Sequence, residues 1–172
     1  MGLAPLDLRS RVPIDAETIA NLGAGNGDSD LGGAALGLSA KVVCVELFGP
    51  YCDKLRAKGA TVVQVNAVDW IKSQKTGSFD VVLMIDFIEH LDKPVGMDVI
   101  LHARRIATKR VVMWVPLGDC HQEPFDGNEA QRHVSTWYAH DFPGAEIEVF
   151  PEFHRHTDPW SDASWVIYEV YE

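Results

Sequence analysis

A glycine-rich segment, residues 21–28 (Asn-Leu-Gly-Ala-Gly-Asn-Gly-Asp), has the residue types and spacing that most directly indicate chemistry. Glycine at every second position lets the backbone turn sharply and approach a ligand with no Cβ in the way. Glu46 follows Gly27 by nineteen residues, at the end of a Val-rich run. A carboxylate at that place can accept hydrogen bonds from both hydroxyls of a ribose. The loop and the acid together predict a site for a nucleoside-containing cofactor.

The spacing of the glycines separates this segment from two other nucleotide-binding loops. The dinucleotide pattern G-x-G-x-x-G, aligned on Gly23 and Gly25, requires a third glycine where Asp28 stands. A phosphate-binding P-loop is excluded because G-K-[S/T] occurs nowhere in the chain. An NAD-dependent oxidoreductase therefore remains only as a disfavoured alternative.

The elements that would position the loop and the acid follow a regular rhythm. Five short apolar runs, rich in Val and Ile, are typical of strands buried on both faces: 17–22, 41–47, 61–66, 79–85 and 110–116. Helical patterns lie between them at 29–38, 50–58 and 93–108, with a brief helix expected within 67–78. Strands alternating with helices predict a doubly wound α/β fold in three layers.

The last third of the chain has a different character. Residues 117–143 are polar, aromatic and His-rich without a clear period, which predicts a long active-site loop with a short helix around 135–141. Residues 145–150 and 163–171 alternate apolar and polar side chains, as a final antiparallel pair of strands would. We expect one domain over residues 1–172, with a cofactor half at about 15–92, an acceptor-side loop at about 117–143 and a terminal hairpin at about 145–171.

These segments together resemble the class I S-adenosylmethionine-dependent methyltransferases. The glycine loop is similar to that family's first motif, and Glu46 resembles its ribose-binding acid. Residues 65–70 (Val-Asn-Ala-Val-Asp-Trp) resemble the third motif, and residues 78–91, which end in Glu-His-Leu, resemble the fourth-strand motif. The resemblance covers about residues 18–118.

The resemblance implies a mostly parallel seven-stranded sheet with an antiparallel last strand. It also implies that the chain transfers a methyl group, by in-line displacement, from S-adenosylmethionine to a small-molecule or sugar-like acceptor. The residues expected to bind this cofactor are Asn21, Gly23, Ala24, Gly25, Gly27, Glu46, Leu47, Asn66, Ala67, Asp86 and Phe87.

Two of these residues depart from the family pattern, because Asn21 and Asn66 stand where acids are usual. Asn21 keeps an acceptor but loses a charge, and Asn66 can still accept from an adenine amine through its side-chain oxygen. The departures leave open an alternative in which the chain is a cofactor-binding module of the same fold without catalysis.

Three histidines are candidates for acid–base work at the acceptor: His90, His121 and His133. We expect residues 86–90 to line the methionine end of the cofactor and the acceptor, at the carboxyl end of the fourth strand. The alternative for Glu89 and His90 is structural, as a helix-start carboxylate and a packed imidazole.

No metal site is predicted. His154, His156 and Asp158 could suggest one, but no further cluster at a fixed spacing supports it. The three cysteines form no CxxC pair, so we expect reduced thiols and no structural zinc site.

Composition bounds the partners. The chain has 172 residues, 25 acidic and 15 basic, and a formal charge of −10, which argues against binding nucleic acid or an anionic membrane by bulk electrostatics. No signal pattern and no apolar stretch of membrane-spanning length occurs, so we expect a cytoplasmic protein. A small-molecule acceptor and a homodimer are the expected partners. Aromatic residues that could contribute to a dimer interface are Phe125, Trp137, Tyr138, Phe142 and Trp160.

Overall fold

The computed structural model describes residues 6–155 and 160–170. Its centre is a seven-stranded sheet in the order β3-β2-β1-β4-β5-β7-β6. The strands are β1 (Thr18–Leu22), β2 (Lys41–Glu46), β3 (Thr61–Gln64), β4 (Phe79–Ile85), β5 (Ala107–Leu117), β6 (Glu146–His154) and β7 (Ser161–Glu169). Strands β1 to β5 pair in parallel, whereas β7 runs antiparallel to both β5 and β6. The predicted fold class is therefore confirmed.

Four helices cover the two faces of the sheet: α1 (Asp30–Leu36), α2 (Gly49–Ala57), α3 (Ala67–Ser73) and α4 (Lys93–Ile106). Alternate residues of β4 serve different cores, since Val82 and Met84 join one apolar cluster while Val81 and Leu83 join another. The first cluster includes α3 and α4, and the second includes α1. Burial on both faces explains why this strand reads as a continuous apolar run.

Several predicted boundaries were wrong at the ends of elements. β3 ends at Gln64 rather than residue 66, because Asn66 begins the next helix as its N-cap. α4 ends at Ile106, and β5 starts at once with Ala107, three residues earlier than predicted. The helix expected around 135–141 is only a 3₁₀ turn, Ala139–Asp141, and a second 3₁₀ turn spans Glu129–Gln131.

The terminal pair of strands forms as predicted, but β7 does not alternate between core and solvent. Every residue of β7 except Asp162 and Glu169 is buried. The reason is packing on both faces of the strand, because Val166 and Tyr168 join one apolar cluster while Ala163 and Trp165 join the other. Residue 171, which the prediction included, lies outside the described residues.

Two aromatic residues proposed for a dimer interface are not available for one. Trp137 and Phe142 are buried in the core and stack on each other with ring centroids 5.5 Å apart. Phe125, Tyr138 and Trp160 remain about half exposed, so the homodimer stays a prediction. The three cysteines are free and buried. Within residues 6–155 and 160–170, no helix has the length and apolarity that crossing a membrane requires.

Candidate functional site

Two adjoining clefts open at the carboxyl ends of β1, β2 and β4, where ligands bind in open α/β sheets. The larger cleft, of about 500 Å³, is bounded by the glycine loop, Tyr51 and the segment after β5 that carries His133. The smaller cleft, of about 140 Å³, is bounded by the end of β2 and the start of α3. Gly23, Asp86 and His90 line both clefts, so the two clefts adjoin at these residues.

The glycine loop adopts a backbone that other residues rarely accept. Gly23, Gly25 and Gly27 have φ values of 62°, 62° and 68°. A Cβ on Gly23 would lie 2.3 Å from Cδ2 of Phe87, so close packing requires glycine there. A Cβ on Gly25 would meet nothing within 4 Å, and this residue faces the larger cleft. The loop therefore presents bare backbone to a ligand at Gly25.

Glu46 fastens this loop to the end of β2. Its residue is 7% exposed, its Oε2 accepts a hydrogen bond of 2.9 Å from the N–H of Gly25, and its Oε1 accepts bonds of 2.8 Å from the N–H groups of Leu47 and Phe48. A carboxylate offers about four lone-pair positions, so three are engaged within the protein. Sequence reasoning assigned Glu46 to a ribose and missed this structural task. In the described arrangement one position is left for a hydroxyl in the smaller cleft.

Asn66 has a role that the sequence did not indicate. Its side-chain oxygen accepts from the N–H of Val68 at 2.8 Å and from the N–H of Asp69 at 3.4 Å, which caps α3. The cap uses the oxygen that was expected to accept from an adenine amine. Asn66 and Ala67 nevertheless line the smaller cleft as predicted.

The structure brings together all of the residues expected to bind a cofactor. Those lining the larger cleft are Asn21, Gly23, Ala24, Gly25, Gly27 and Asp86. Those lining the smaller cleft are Gly23, Glu46, Leu47, Asn66, Ala67, Asp86 and Phe87.

The three candidate histidines do not share one place. His90 lines both clefts and His133 lines the larger one. His121 lines neither, and its exposed ring lies 2.9 Å from a carboxylate oxygen of Glu123 at the surface. The structure therefore does not bring His121 to the site.

The sequence and the structure of the chain were each compared with those of known proteins. No protein-family model matches the sequence, and no curated protein matches it. Among solved structures, an S-adenosylmethionine-dependent methyltransferase from Archaeoglobus fulgidus superposes with a TM-score of 0.71 at 15% identity, covering 94% of this chain and 90% of that one. The chain has the methyltransferase fold.

Two further solved structures agree with this assignment of the fold. Magnesium protoporphyrin IX methyltransferase from Synechocystis, with bound S-adenosylhomocysteine, gives a TM-score of 0.62 at 14% identity and covers 94% of this chain and 78% of that one. The 1,6-didemethyltoxoflavin-N1-methyltransferase of Burkholderia thailandensis gives 0.61 at 12% identity, covering 91% and 72%. Identities this low establish the fold and leave the reaction of this chain to be argued from its own site.

In this methyltransferase fold, the turn after β4 carries an unusual group of side chains. Asp86 has a positive φ of 45° and opens onto both clefts, but the protein around the clefts desolvates its carboxyl and raises its pKa to about 7. Glu89 is 1% exposed, and neither of its oxygens has a hydrogen-bond partner of acceptable geometry among the described residues. Burial first, and the charge of Asp86 second, raise the pKa of Glu89 well above its ordinary value.

The structural alternative for Glu89 is not supported by these contacts. A carboxylate that caps a helix start accepts bonds from backbone N–H groups, and Glu89 accepts none of acceptable geometry. The backbone N–H groups of Glu89 itself and of Phe87 lie near this carboxyl group and offset part of the rise in its pKa. Burial lowers the pKa of His90 to about 4, so this imidazole is neutral at pH 7.

Sequence reasoning missed several lining residues of the larger cleft, among them Tyr51, Gln131 and His154, which come from segments without a motif. The hydroxyl of Tyr51 donates to Asp126 at 3.0 Å and so ties α2 to the loop after β5. His154 also lines this cleft. Of the possible metal set that contained it, His156 and Asp158 lie outside the described residues.

Proposed function

We propose that this protein transfers a methyl group from S-adenosylmethionine to a small-molecule or sugar-like acceptor. The observation that carries the proposal is the adjoining pair of clefts at the carboxyl ends of the strands, lined between them by every residue expected to bind this cofactor. Solved structures with the same fold are methyltransferases crystallised with S-adenosylhomocysteine, which supports the same cofactor here.

The residues of the two clefts fit the two ends of such a cofactor. The smaller cleft offers the carboxylate of Glu46 for a ribose hydroxyl and the apolar side chains of Leu47, Ala67 and Val68 for an adenine ring. The larger cleft offers the bare backbone at Gly25 and the buried amide of Asn21 for a methionine group. Bound there, the cofactor supplies an electrophilic methyl group on a sulfonium.

What the protein itself contributes is position. Attack on a methyl carbon requires the acceptor atom in line with the breaking bond, and orientation of this kind accounts for much of the rate in such reactions. Asp86 and His90 lie where the two clefts meet. They are therefore the residues that we place beside the reacting atoms, while the rest of the larger cleft holds the acceptor.

The replacement of two acids by asparagine motivates a second candidate, a binding module without catalysis. Asn21 supplies no negative charge to a cationic ligand, and the side-chain oxygen of Asn66 is occupied by the helix cap. Both features weaken recognition of the cofactor, but neither removes the glycine loop or Glu46. We therefore favour the enzyme.

Calorimetry with S-adenosylmethionine, S-adenosylhomocysteine and NAD tests the proposal. We expect both sulfur nucleosides to bind at micromolar concentration and NAD not to bind. Failure of both to bind at millimolar concentration would reject the methyltransferase, and binding of NAD alone would favour an oxidoreductase. Release of S-adenosylhomocysteine in the presence of an array of phenolic, sugar and amine acceptors then separates the enzyme from the binding module.

A further inference from the structure

Three side chains that commonly bind metals converge on the wall of the larger cleft. Glu89 and His90 belong to the 3₁₀ turn Ile88–His90 that follows β4, and His133 belongs to the long segment after β5. One potential ligand atom from each lies within 4.8 Å of the other two. The two imidazole rings meet edge to face with centroids 4.8 Å apart. Tetrahedral ligands on ~2.1 Å bonds lie roughly 3.4 Å apart, so these atoms would have to approach one another by up to about 1.4 Å to share an ion.

The two imidazoles are oriented as metal ligands usually are. Nδ1 of His90 lies 3.1 Å from the carbonyl oxygen of Arg132, and Nδ1 of His133 lies 2.6 Å from the carbonyl oxygen of Cys120. A carbonyl can only accept, so in a neutral ring each Nδ1 carries the proton. The backbone carbonyl of Asp86 also lies near the ring of His90. Hydrogen bonds from the second ring nitrogen to a backbone carbonyl fix the ring and tautomer of histidines that ligate metals.

The carboxylate of Glu89 is the observation that points to a cation. It is 1% exposed, and both oxygens lack a hydrogen-bond partner in the part of the chain that the structure describes. Leaving an ionised carboxylate buried and unpaired is costly, and a negative charge on the neighbouring Asp86 opposes it further. Within residues 6–155 and 160–170, neither acid forms an ion pair with a basic side chain. The guanidinium of the nearby Arg132 pairs instead with Glu123 and Glu129.

We propose that Glu89, His90 and His133 form a binding site for a divalent transition metal ion. Two imidazole nitrogens and one carboxylate oxygen favour Mn²⁺, Fe²⁺, Co²⁺ or Zn²⁺ over Mg²⁺ or Ca²⁺, which prefer oxygen ligands alone. Three protein ligands leave coordination positions open, and these face the larger cleft because both histidines line it. The sequence did not indicate this site because His133 lies far along the chain from Glu89 and His90, with no fixed ligand spacing.

The position of the site indicates the class of acceptor, an inference that rests on the proposed function. An open metal position beside Asp86 and His90 takes an oxygen ligand, and a metal-bound hydroxyl releases its proton more readily than a free one. The acceptor is then an alcohol, phenol or diol. Its O–H bond breaks with the proton leaving to water, its oxygen bonds to the methyl carbon, and the carbon–sulfur electron pair stays on sulfur.

Metal binding tests the site without any assay of activity. The untagged protein is stripped with a chelator, dialysed, and titrated with Co²⁺ followed by visible absorption and with Zn²⁺ followed by calorimetry. We expect one equivalent to bind at micromolar concentration with the absorption bands of Co²⁺ bound to nitrogen and oxygen. If neither Co²⁺ nor Zn²⁺ binds, the inference is overturned.

Variants locate the bound ion. Glu89→Gln keeps the shape of the side chain, removes a buried unpaired charge and should therefore fold, which urea unfolding checks. We expect Glu89→Gln and His133→Ala each to weaken binding about 10–100-fold. His140→Ala is the matched control, because its side chain is 80% exposed, and it should bind the ion as the unmodified protein does. Equal affinity in Glu89→Gln and the control would overturn the site even if His133→Ala fails to fold.

Calorimetry with S-adenosylhomocysteine on the same samples separates this inference from the proposed function. Binding of the nucleoside without binding of a metal overturns the metal site and leaves the methyltransferase standing. Binding of a metal without binding of the nucleoside supports the metal site and removes the basis for an oxygen acceptor. Methylation that needs added metal and is confined to hydroxyl-bearing acceptors would support both.

Discussion

Glu46→Gln is the substitution that best tests how the site is built, because the side chain has two tasks. Its carboxylate accepts three backbone hydrogen bonds, one from Gly25 and two from Leu47 and Phe48, and it lines the smaller cleft. A glutamine can place its single oxygen toward Leu47 and Phe48, but its NH₂ group then faces the N–H of Gly25. The contact that holds the glycine loop is lost, while the bonds at the end of β2 survive in weaker form.

The magnitude follows from one lost hydrogen bond to a charged acceptor, which is worth about 1.5–3 kcal/mol. We expect S-adenosylhomocysteine to bind less favourably by about that amount, so that its Kd rises roughly 10–150-fold. This loss of affinity combines the weaker contact with the ribose and the displacement of the glycine loop. Unfolding free energy should fall by about 1–2 kcal/mol, because water in the open cleft can partly satisfy the Gly25 N–H.

Isothermal calorimetry measures the affinity and urea unfolding measures the stability. Glu17→Gln is the matched control, since Glu17 is exposed and precedes β1. It therefore lies at the amino ends of the parallel strands, whereas the clefts lie at their carboxyl ends. This substitution should change neither quantity. Unchanged affinity in Glu46→Gln would refute both the ribose assignment and the argument that this carboxylate positions the loop.

Three further substitutions test other parts of the structure. Gly25→Val should abolish S-adenosylhomocysteine binding in calorimetry, since a side chain there projects into the larger cleft on a backbone with φ of 62°; retained affinity would contradict the loop model. Gly96→Ala should lower the unfolding free energy by about 1–3 kcal/mol in urea, because its Cβ would lie 2.7 Å from Cζ2 of Trp137; an unaffected midpoint would show that the ring has room to move. Asp80→Asn should cost about 1–2 kcal/mol at pH 7. Burial raises the pKa of Asp80, but two N–H groups at the start of β1 and the hydroxyl of Thr108 outweigh it and hold the pKa below its ordinary value. A group whose pKa is lowered on folding contributes stability above its unfolded-state pKa, and this contribution is lost as the pH falls through the folded-state pKa. The free energies of unfolding of the two proteins in urea should therefore converge below about pH 4. A difference that stays constant with pH would refute the assignment.

Local patterns predicted the site best where one short segment does the whole task. The glycine loop has the sharp turns that its spacing predicts, because its backbone conformation depends on the glycines themselves, and all three have positive φ. Predictions that assumed a side-chain oxygen free to accept from a ligand overlooked its bonds within the protein. The oxygen of Asn66 caps α3, and the carboxylate of Glu46 already holds three N–H groups, because nearby backbone groups compete for the same acceptors.

Errors elsewhere came from neighbours that lie far away in the sequence. The alternating pattern of 163–171 predicted alternate burial along the strand, but packing on both faces of β7 buries almost all of it. Trp137 was proposed for a dimer interface as an aromatic residue of the 117–143 segment, yet it fills the space that Gly96 leaves on α4. Burial of this kind depends on packing between segments, which periodicity along one segment does not report.

The sequence by itself determined the order of strands and helices and the place of the glycine loop, since buried parallel strands and a glycine loop each leave a local pattern. Only the tertiary structure decided which loop residues face that site. It left His121 at the surface and brought His133 beside Glu89 and His90. The physical reason is that such a cluster is made by the meeting of two segments, through backbone carbonyls that orient the rings and a core that removes water from Glu89.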